Sequence, residues 1–308
     1  MKGLEIAEAF YNTFGKKMIH DNFLELENKI TIGLVGSGSE CLGFDDDISK
    51  DHDYEPRFIM FVPDDFDDQT IFKLERAYNA LPSEFMGLQR KYDHLMLGEN
   101  VIKISDFYLQ KIGNTTGNLS NYEWLSIPSF YLLEATNGKI FNQANNDFMK
   151  IRETLSKYPK DIKYKKLAGN LLLMYQSGIY NYERSTKRND FGGVSLSLYE
   201  FTKHTLAVLY LLNDIYMPYY KWWFRGLEKL SSLTDLLNKL KELLVSDTTT
   251  IFKKTELIDS IIVAILKEIK RHNVISIDTT DLNSLAYQIN NMVKDNTLRN
   301  LNILAGVN

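Results

Sequence analysis

The sequence has one cysteine, Cys41, so it can form neither an internal disulfide nor a cysteine-based zinc site. No uncharged apolar run approaches the roughly 20 residues that a membrane-spanning helix needs. Residues Met1 to Asn12 set Glu5 and Glu8 among apolar side chains and lack the basic-then-apolar layout of a secretory signal. There is no internal repeat and no low-complexity linker. A Walker A loop is missing, because Gly-x-x-x-x-Gly-Lys-Ser/Thr does not occur. No basic stripe reaches the density usual for long nucleic acid, although a tRNA end stays open as a partner. These absences lead us to expect a soluble, cytoplasmic protein.

What is present is ordinary globular composition: 308 residues, 44% apolar, 25% charged and 12% aromatic. The length suggests two domains. The net charge of −4 hides an asymmetry. Residues 1–110 hold 11 Lys/Arg against 21 Asp/Glu, whereas residues 111–308 hold 25 against 19. One reading is compositional drift between two domains. The other is a site in which front-half carboxylates hold metal and rear-half cations hold a polyanion.

Hydrophobic periodicity predicts a helix over Leu4 to Met18 and a short strand at Lys29 to Val35. A second strand is predicted at Arg57 to Val62, a helix at Gln69 to Leu81 and a third strand at Val101 to Tyr108, after a stretch that could hold a further strand near Leu95. After about Trp124 the pattern turns helical. Helices are predicted from Ile127 to Thr136, about Asp161 to Tyr180, Val194 to Tyr216, Leu227 to Leu244, Ile251 to Arg271 and Leu282 to Leu304. The expected fold is α+β: an α/β domain over residues 1–145 with a small mixed sheet, then an all-α helical bundle over 146–308.

The informative stretch is Gly36-Ser37-Gly38-Ser39, directly after the first strand, followed about a dozen residues later by Asp51-His52-Asp53. In extended backbone, positions i and i+2 share a face, so Asp51 and Asp53 would project together. Two carboxylates on one face suit a hard cation such as Mg²⁺, which keeps waters and substrate phosphates as its other ligands. A Gly-Ser turn offers backbone N–H donors and a hydroxyl to a phosphate. Metal and phosphate sites side by side are what phosphoryl or nucleotidyl transfer needs. An EF-hand does not fit: counted from Asp45, its sixth and twelfth positions are Lys50 and Pro56, where Gly and Glu are required.

This stretch resembles the nucleotidyltransferase superfamily, the polymerase-beta-like fold whose signature is Gly-Ser followed by Asp-x-Asp. More closely it resembles a bacterial domain-of-unknown-function family within it, through Gly38, Ser39, Gly43, Asp45, Asp46, Ser49, Asp51, His52, Asp53, Pro56 and Arg57. A looser likeness continues through Gly138 to Phe141, Tyr158-Pro159 and Pro218 to Trp222. The resemblance implies transfer of a nucleoside monophosphate from an NTP to a hydroxyl acceptor, with one or two Mg²⁺ ions and release of pyrophosphate. The acceptor would be a small molecule or a macromolecule lying between the two domains. One departure is that Tyr54-Glu55-Pro56 separates the aspartates from the strand, and Pro56 cannot donate to a ladder. The alternative is a nucleotide-binding or interaction module that keeps the fold without turnover.

Such enzymes use a third carboxylate from a later strand, and the candidate is Asp106, in strand phase with Ile102 and Ile104. The competing reading makes Asp106 a helix N-cap. Asp45, Asp46 and Asp47 are either solvated loop or a substrate or structural element. His52 either reaches the metal's surroundings or packs. Arg57 would pair with Asp51 or Asp53, or reach a phosphate. In the rear half Lys187 and Arg188 lie in a basic loop, and Asp190 beside them is a weak candidate for activating the acceptor. Lys221 and Arg225, a helical turn apart, are candidate triphosphate or acceptor contacts. The aromatic side chains from Tyr219 to Phe224 are expected mostly to pack between helices.

Overall fold

A computed structural model describes residues 1–48, 55–90, 100–144, 146–245, 251–276 and 279–307. The chain is α+β and divides into two compact units, one of 1–119 with 131–156 and one of 120–130 with 157–308. Among the described residues no helix is long and apolar enough to cross a membrane.

The first unit opens with helices α1 (Gly3–Phe10) and α2 (Lys16–Asn22), joined without a break by a π-helical turn at Tyr11–Gly15. Strand β1 (Thr31–Leu34) leads into the short helix α3 (Ser39–Leu42), then β2 (Ile59–Val62) and α4 (Asp68–Asn79). A small hairpin, β3 (Glu84–Phe85) and β4 (Leu88–Gln89), precedes β5 (Val101–Lys103) and α5 (Ile104–Ile112). After α6 (Asn121–Ser126) and α7 (Ser129–Thr136), the sheet is completed by β6 (Lys139–Asn142), and α8 (Phe148–Thr154) follows.

The main sheet has the order β5-β2-β1-β6, with β2 and β5 parallel and the other pairs antiparallel. All four residues of β1 are buried, as befits a central strand. Strand alternation sorts the aromatic core into two layers. Met60 and Val62 join Phe10, Tyr11, Phe58 and Tyr78 on one face. Phe61 points the other way and stacks on Phe148 at 4.2 Å, with Phe107 at 5.0 Å. The Arg90 guanidinium lies over the Phe10 and Tyr78 rings and donates to the carbonyls of Tyr78, Leu81 and Pro82, so it is a structural cation.

The third expected strand is corrected at its end. It stops at Lys103, and Ile104 to Ile112 is helix. Ile104, Phe107, Tyr108 and Ile112 are buried at three-and-four spacing, so the helical period governs from Ile104 onward. The possible strand near Leu95 lies outside the described residues.

The second unit contains α9 (Lys160–Tyr175), a π-helical turn at Gln176–Asn181, α10 (Tyr182–Lys187), α11 (Phe191–Leu212), α12 (Trp223–Leu227), α13 (Thr234–Leu244), α14 (Ile251–Arg271), α15 (Leu282–Asn291) and α16 (Asn296–Asn300). Helix α9 is buried nearly all round, at the centre of α11 and α15. Two of its buried side chains are lysines. Lys165 Nζ donates to Asn290 Oδ1, Arg299 O and Leu301 O at 2.9, 3.3 and 2.8 Å, which uses all three N–H groups. A side-chain link joins α9 to α11: Asn170 Oδ1 lies 2.9 Å from His204 Nδ1, and His204 Nε2 lies 3.1 Å from Glu200 Oε2.

Candidate functional site

The Gly-Ser turn grows out of the buried end of β1. Gly36 and Gly38 both have positive φ, +108° and +119°, which L side chains rarely adopt. The Asn137 side chain clamps the turn from below: its Nδ2 donates to Gly36 O, and its Oδ1 accepts from Gly36 N, both at 2.8 Å. Arg152 Nη2 in turn donates to Asn137 O at 2.6 Å. Gly138 has φ +69°, and its N–H donates to Cys41 O. A Cβ there would sit 2.0 Å from Leu34 O, so the chain passes β1 too closely for any side chain.

A cation stands over the turn. Lys111, in the last turn of α5, donates to Ser37 Oγ at 3.1 Å and pairs with Glu134 at 2.7 Å. Ser37 Oγ also donates to Glu134 Oε2 at 2.8 Å. The hydroxyl, ammonium and carboxylate form a closed polar triangle beside an exposed glycine, Gly38. Ser39 opens α3 and is half-buried.

Arg57 pairs with Glu40 of α3 at 2.9 Å, while Asp51 and Asp53, its other expected partners, lie outside the described residues. Burial drives this choice: Glu40 is buried, and a buried carboxylate requires a charge-assisted partner. Arg57 Nε and Arg152 Nη1 are buried without a hydrogen-bond partner among the described residues. Asp45 is buried and structural: its Oδ2 accepts from Gly3 N at 2.9 Å, and its Oδ1 faces the Lys2 ammonium. Asp46 Oδ1 accepts from Ile48 N.

Asp51, His52 and Asp53 lie outside the described residues. Asp106 stands exposed in the first turn of α5, not on a strand. It lines a shallow, acid-bearing cavity with Asp68, Glu75 and Lys103. Among the described residues no group of three or more His, Cys, Asp or Glu side chains is placed to hold a metal ion.

The rear-half candidates all belong to the second unit. Lys187 ends α10, exposed and paired with Glu183, and Arg188 follows it, exposed. Asp190 caps α11, accepting from Gly193 N at 2.9 Å, which gives it a structural task. Lys221 and Arg225 do not share one α-helix. Lys221 sits in a 3₁₀ turn at Tyr220–Trp222, with its ammonium over the Trp222 ring, and Arg225 is in α12.

Sequence reasoning missed Lys111, Glu134, Asn137 and Arg152. Only Asn137 carried a signal, since Asn137-Gly138 reads as a helix stop. The fold and the turn together define an α+β protein with a positive-φ glycine turn after its first strand. Residues 124–223 match the model of a family described as Domain of unknown function (DUF4037). The matched segment begins well after the Gly-Ser turn and the Asp-x-Asp pair. No curated protein and no solved structure matches the chain.

Proposed function

We propose that the protein is an Mg²⁺-dependent nucleotidyltransferase, moving a nucleoside monophosphate from an NTP to a hydroxyl acceptor. The observation that carries this reading is the turn Gly36 to Ser39. Gly36 and Gly38 in positive φ, the first held by Asn137, with the Lys111 ammonium alongside, make a cradle suited to phosphate oxygens. Ser37 and Ser39 add hydroxyls. In this reading the Lys111 ammonium turns from Glu134 to a phosphate oxygen when the nucleotide enters. Asp51 and Asp53 would hold the metal, whose chemistry is to neutralise charge on the phosphates. The acceptor oxygen forms a bond to the α-phosphorus as the bond to pyrophosphate breaks. Lys187, Arg188, Lys221 and Arg225 are the second unit's candidate contacts to the triphosphate or the acceptor.

A second reading, a nucleotide-binding module without turnover, is favoured by one observation. The expected third carboxylate, Asp106, is exposed in a helical turn beyond the strand's end. Titration calorimetry of NTPs with and without Mg²⁺, run beside a pyrophosphate-release assay on cell extract, separates the two. Transfer of label from NTP to an acceptor supports the enzyme, whereas Mg²⁺-dependent binding without pyrophosphate supports the module. Replacing Asp51 and Asp53 together by Asn is expected to abolish Mg²⁺-dependent binding with the circular dichroism spectrum unchanged. Binding that survives in the double variant sinks the site assignment.

A further inference from the structure

The second unit holds a cavity of about 370 Å³ whose walls are mostly aromatic and apolar. Tyr199, Tyr219 and Tyr220 line it, yet they are 46%, 49% and 60% exposed. In the stretch expected mostly to pack between helices, Tyr219 and Tyr220 are thus exceptions, whereas Trp222, Trp223 and Phe224 are partly buried. Large apolar side chains left exposed around one concavity are the usual mark of a binding surface.

The polar groups of the pocket are unequal. Trp223 Nε1 is spent on Pro218 O and the Tyr210 hydroxyl on Trp223 O. Asn170 is spent on Lys166 O and His204. Besides the hydroxyls of Ser129 and the tyrosines, two ammonium groups line the cavity, and among the described residues no Asp or Glu does. Lys166 is buried, and its Nζ donates to Leu125 O at 3.1 Å and Gly306 O at 2.8 Å, with the Tyr158 ring 5.3 Å away. Its neighbour Lys165 has three oxygen acceptors, whereas Lys166 has two, so one N–H is left at the pocket. Lys203 has only a loose contact, 3.9 Å to Glu200. Among the described residues Lys166 has no carboxylate partner, and a buried cation so placed favours an incoming anion, which would offset its desolvation. Ring faces alone would favour a cationic ligand, but two lysines reverse that preference.

We propose that this pocket binds a small molecule with a planar apolar body and one carboxylate. The body lies among the rings of Tyr199, Tyr220 and Trp223, and the carboxylate meets Lys166 and Lys203. This site stands apart from the nucleotidyl-transfer reading, since it involves neither the Gly-Ser turn nor the Asp-x-Asp pair.

The test is titration calorimetry on the full chain, without nucleotide or Mg²⁺, with three probes of one shape: naphthoate, its neutral carboxamide and its methylammonium counterpart. Naphthoate is expected to bind about tenfold or more tighter than the carboxamide, the size of one charge-assisted hydrogen bond, and the ammonium probe least. Lys203→Gln is expected to weaken naphthoate about fivefold and leave the carboxamide unchanged. Tyr220→Ala, at an exposed position, is expected to weaken both alike. Lys166→Met is scored only after its melting curve shows a folded chain. Equal affinity for naphthoate and carboxamide, a preference for the ammonium probe, no binding of any probe, or indifference to both Lys203→Gln and Tyr220→Ala overturns the proposal.

Discussion

Lys111 and Lys166 show two ways to hold a cation within the fold. Lys111, in the first unit, has a carboxylate at 2.7 Å, so its charge is already balanced and it must exchange Glu134 for a ligand. Lys166, in the second unit, has carbonyl oxygens and a ring as its partners among the described residues, and burial pushes its ammonium down to about 8. In the readings proposed above, the first cation gives up a carboxylate to take a ligand, whereas the second takes its anion without exchange. The backbones follow the same division. The Gly-Ser turn is fixed by side-chain clamps on positive-φ glycines, whereas the aromatic pocket is fixed by helix packing.

The largest expected effect comes from breaking the clamp on the first unit. Gly138→Val forces a Cβ into Leu34 O in a backbone of positive φ. A loss of about 3–5 kcal/mol in chemical unfolding is expected, with the turn's nucleotide affinity lost in whatever remains folded. A drop below about 1 kcal/mol would show that β6 can slide away from β1, and that the clamp is not rigid.

Next in size is a pH effect from the second unit. Lys166 titrates near 8 when folded and near its ordinary value of 10.5 when unfolded. Between those values the unfolded chain binds more protons, so stability rises with pH. Lys166 by itself contributes about 2 kcal/mol between pH 8 and 10. Burial also raises the thiol of Cys41 and the phenols of Tyr11, Tyr78, Tyr108, Tyr158, Tyr210 and Tyr216, and the unfolded chain loses those protons first, which opposes the rise. Unfolding curves across this range should show the maximum at about pH 9, and Lys166→Met should flatten the rising limb. Burial lowers the Lys165 ammonium as well, so part of the limb persists in Lys166→Met, and a limb of undiminished slope there would overturn the assignment to Lys166.

How much of this was legible beforehand depended on whether the signal was local. The β1 strand and the Gly-Ser turn were readable, because an apolar run ending in Gly-Ser-Gly-Ser is a local pattern. The long helices α9, α11 and α14 were readable from their three-and-four spacing. The strand-to-helix switch at Ile104 was not, since Ile102, Ile104 and Asp106 satisfy alternation as well as a helix start. Arg57's partner was not legible either, because Glu40 is far in sequence and only burial selects it. Lys111 and Glu134 meet through tertiary structure alone, across 23 positions. The aromatic pocket was visible only as a composition. Exposure, which separates a packed tyrosine from a lining one, is not written in the sequence.

A smaller effect tests the first cation directly. Lys111→Met leaves Glu134 half-buried but still accepting from Ser37 Oγ. A loss of about 1 kcal/mol is expected, since one of the triangle's three contacts survives and keeps Glu134 paired. NTP affinity should fall about tenfold by calorimetry, one charge-assisted contact's worth. Affinity that is unchanged would leave Lys111 as a fold element only and remove it from the cradle.

The smallest effect concerns the exposed cations of the second unit. Lys187 and Arg188 sit in water, and the Lys187–Glu183 pair is a surface pair of the kind that adds little. Replacing both by Ala should leave the melting temperature unresolved from that of the parent. If these side chains reach the triphosphate, NTP affinity falls a few-fold at low ionic strength and the difference closes at high salt, because exposed charges are screened over about 10 Å at 0.1 M. That salt-dependent fall is the expected outcome. Equal affinities at low salt would confine the phosphate contacts to the first unit, and the charge asymmetry between the two halves of the chain would then be compositional drift alone.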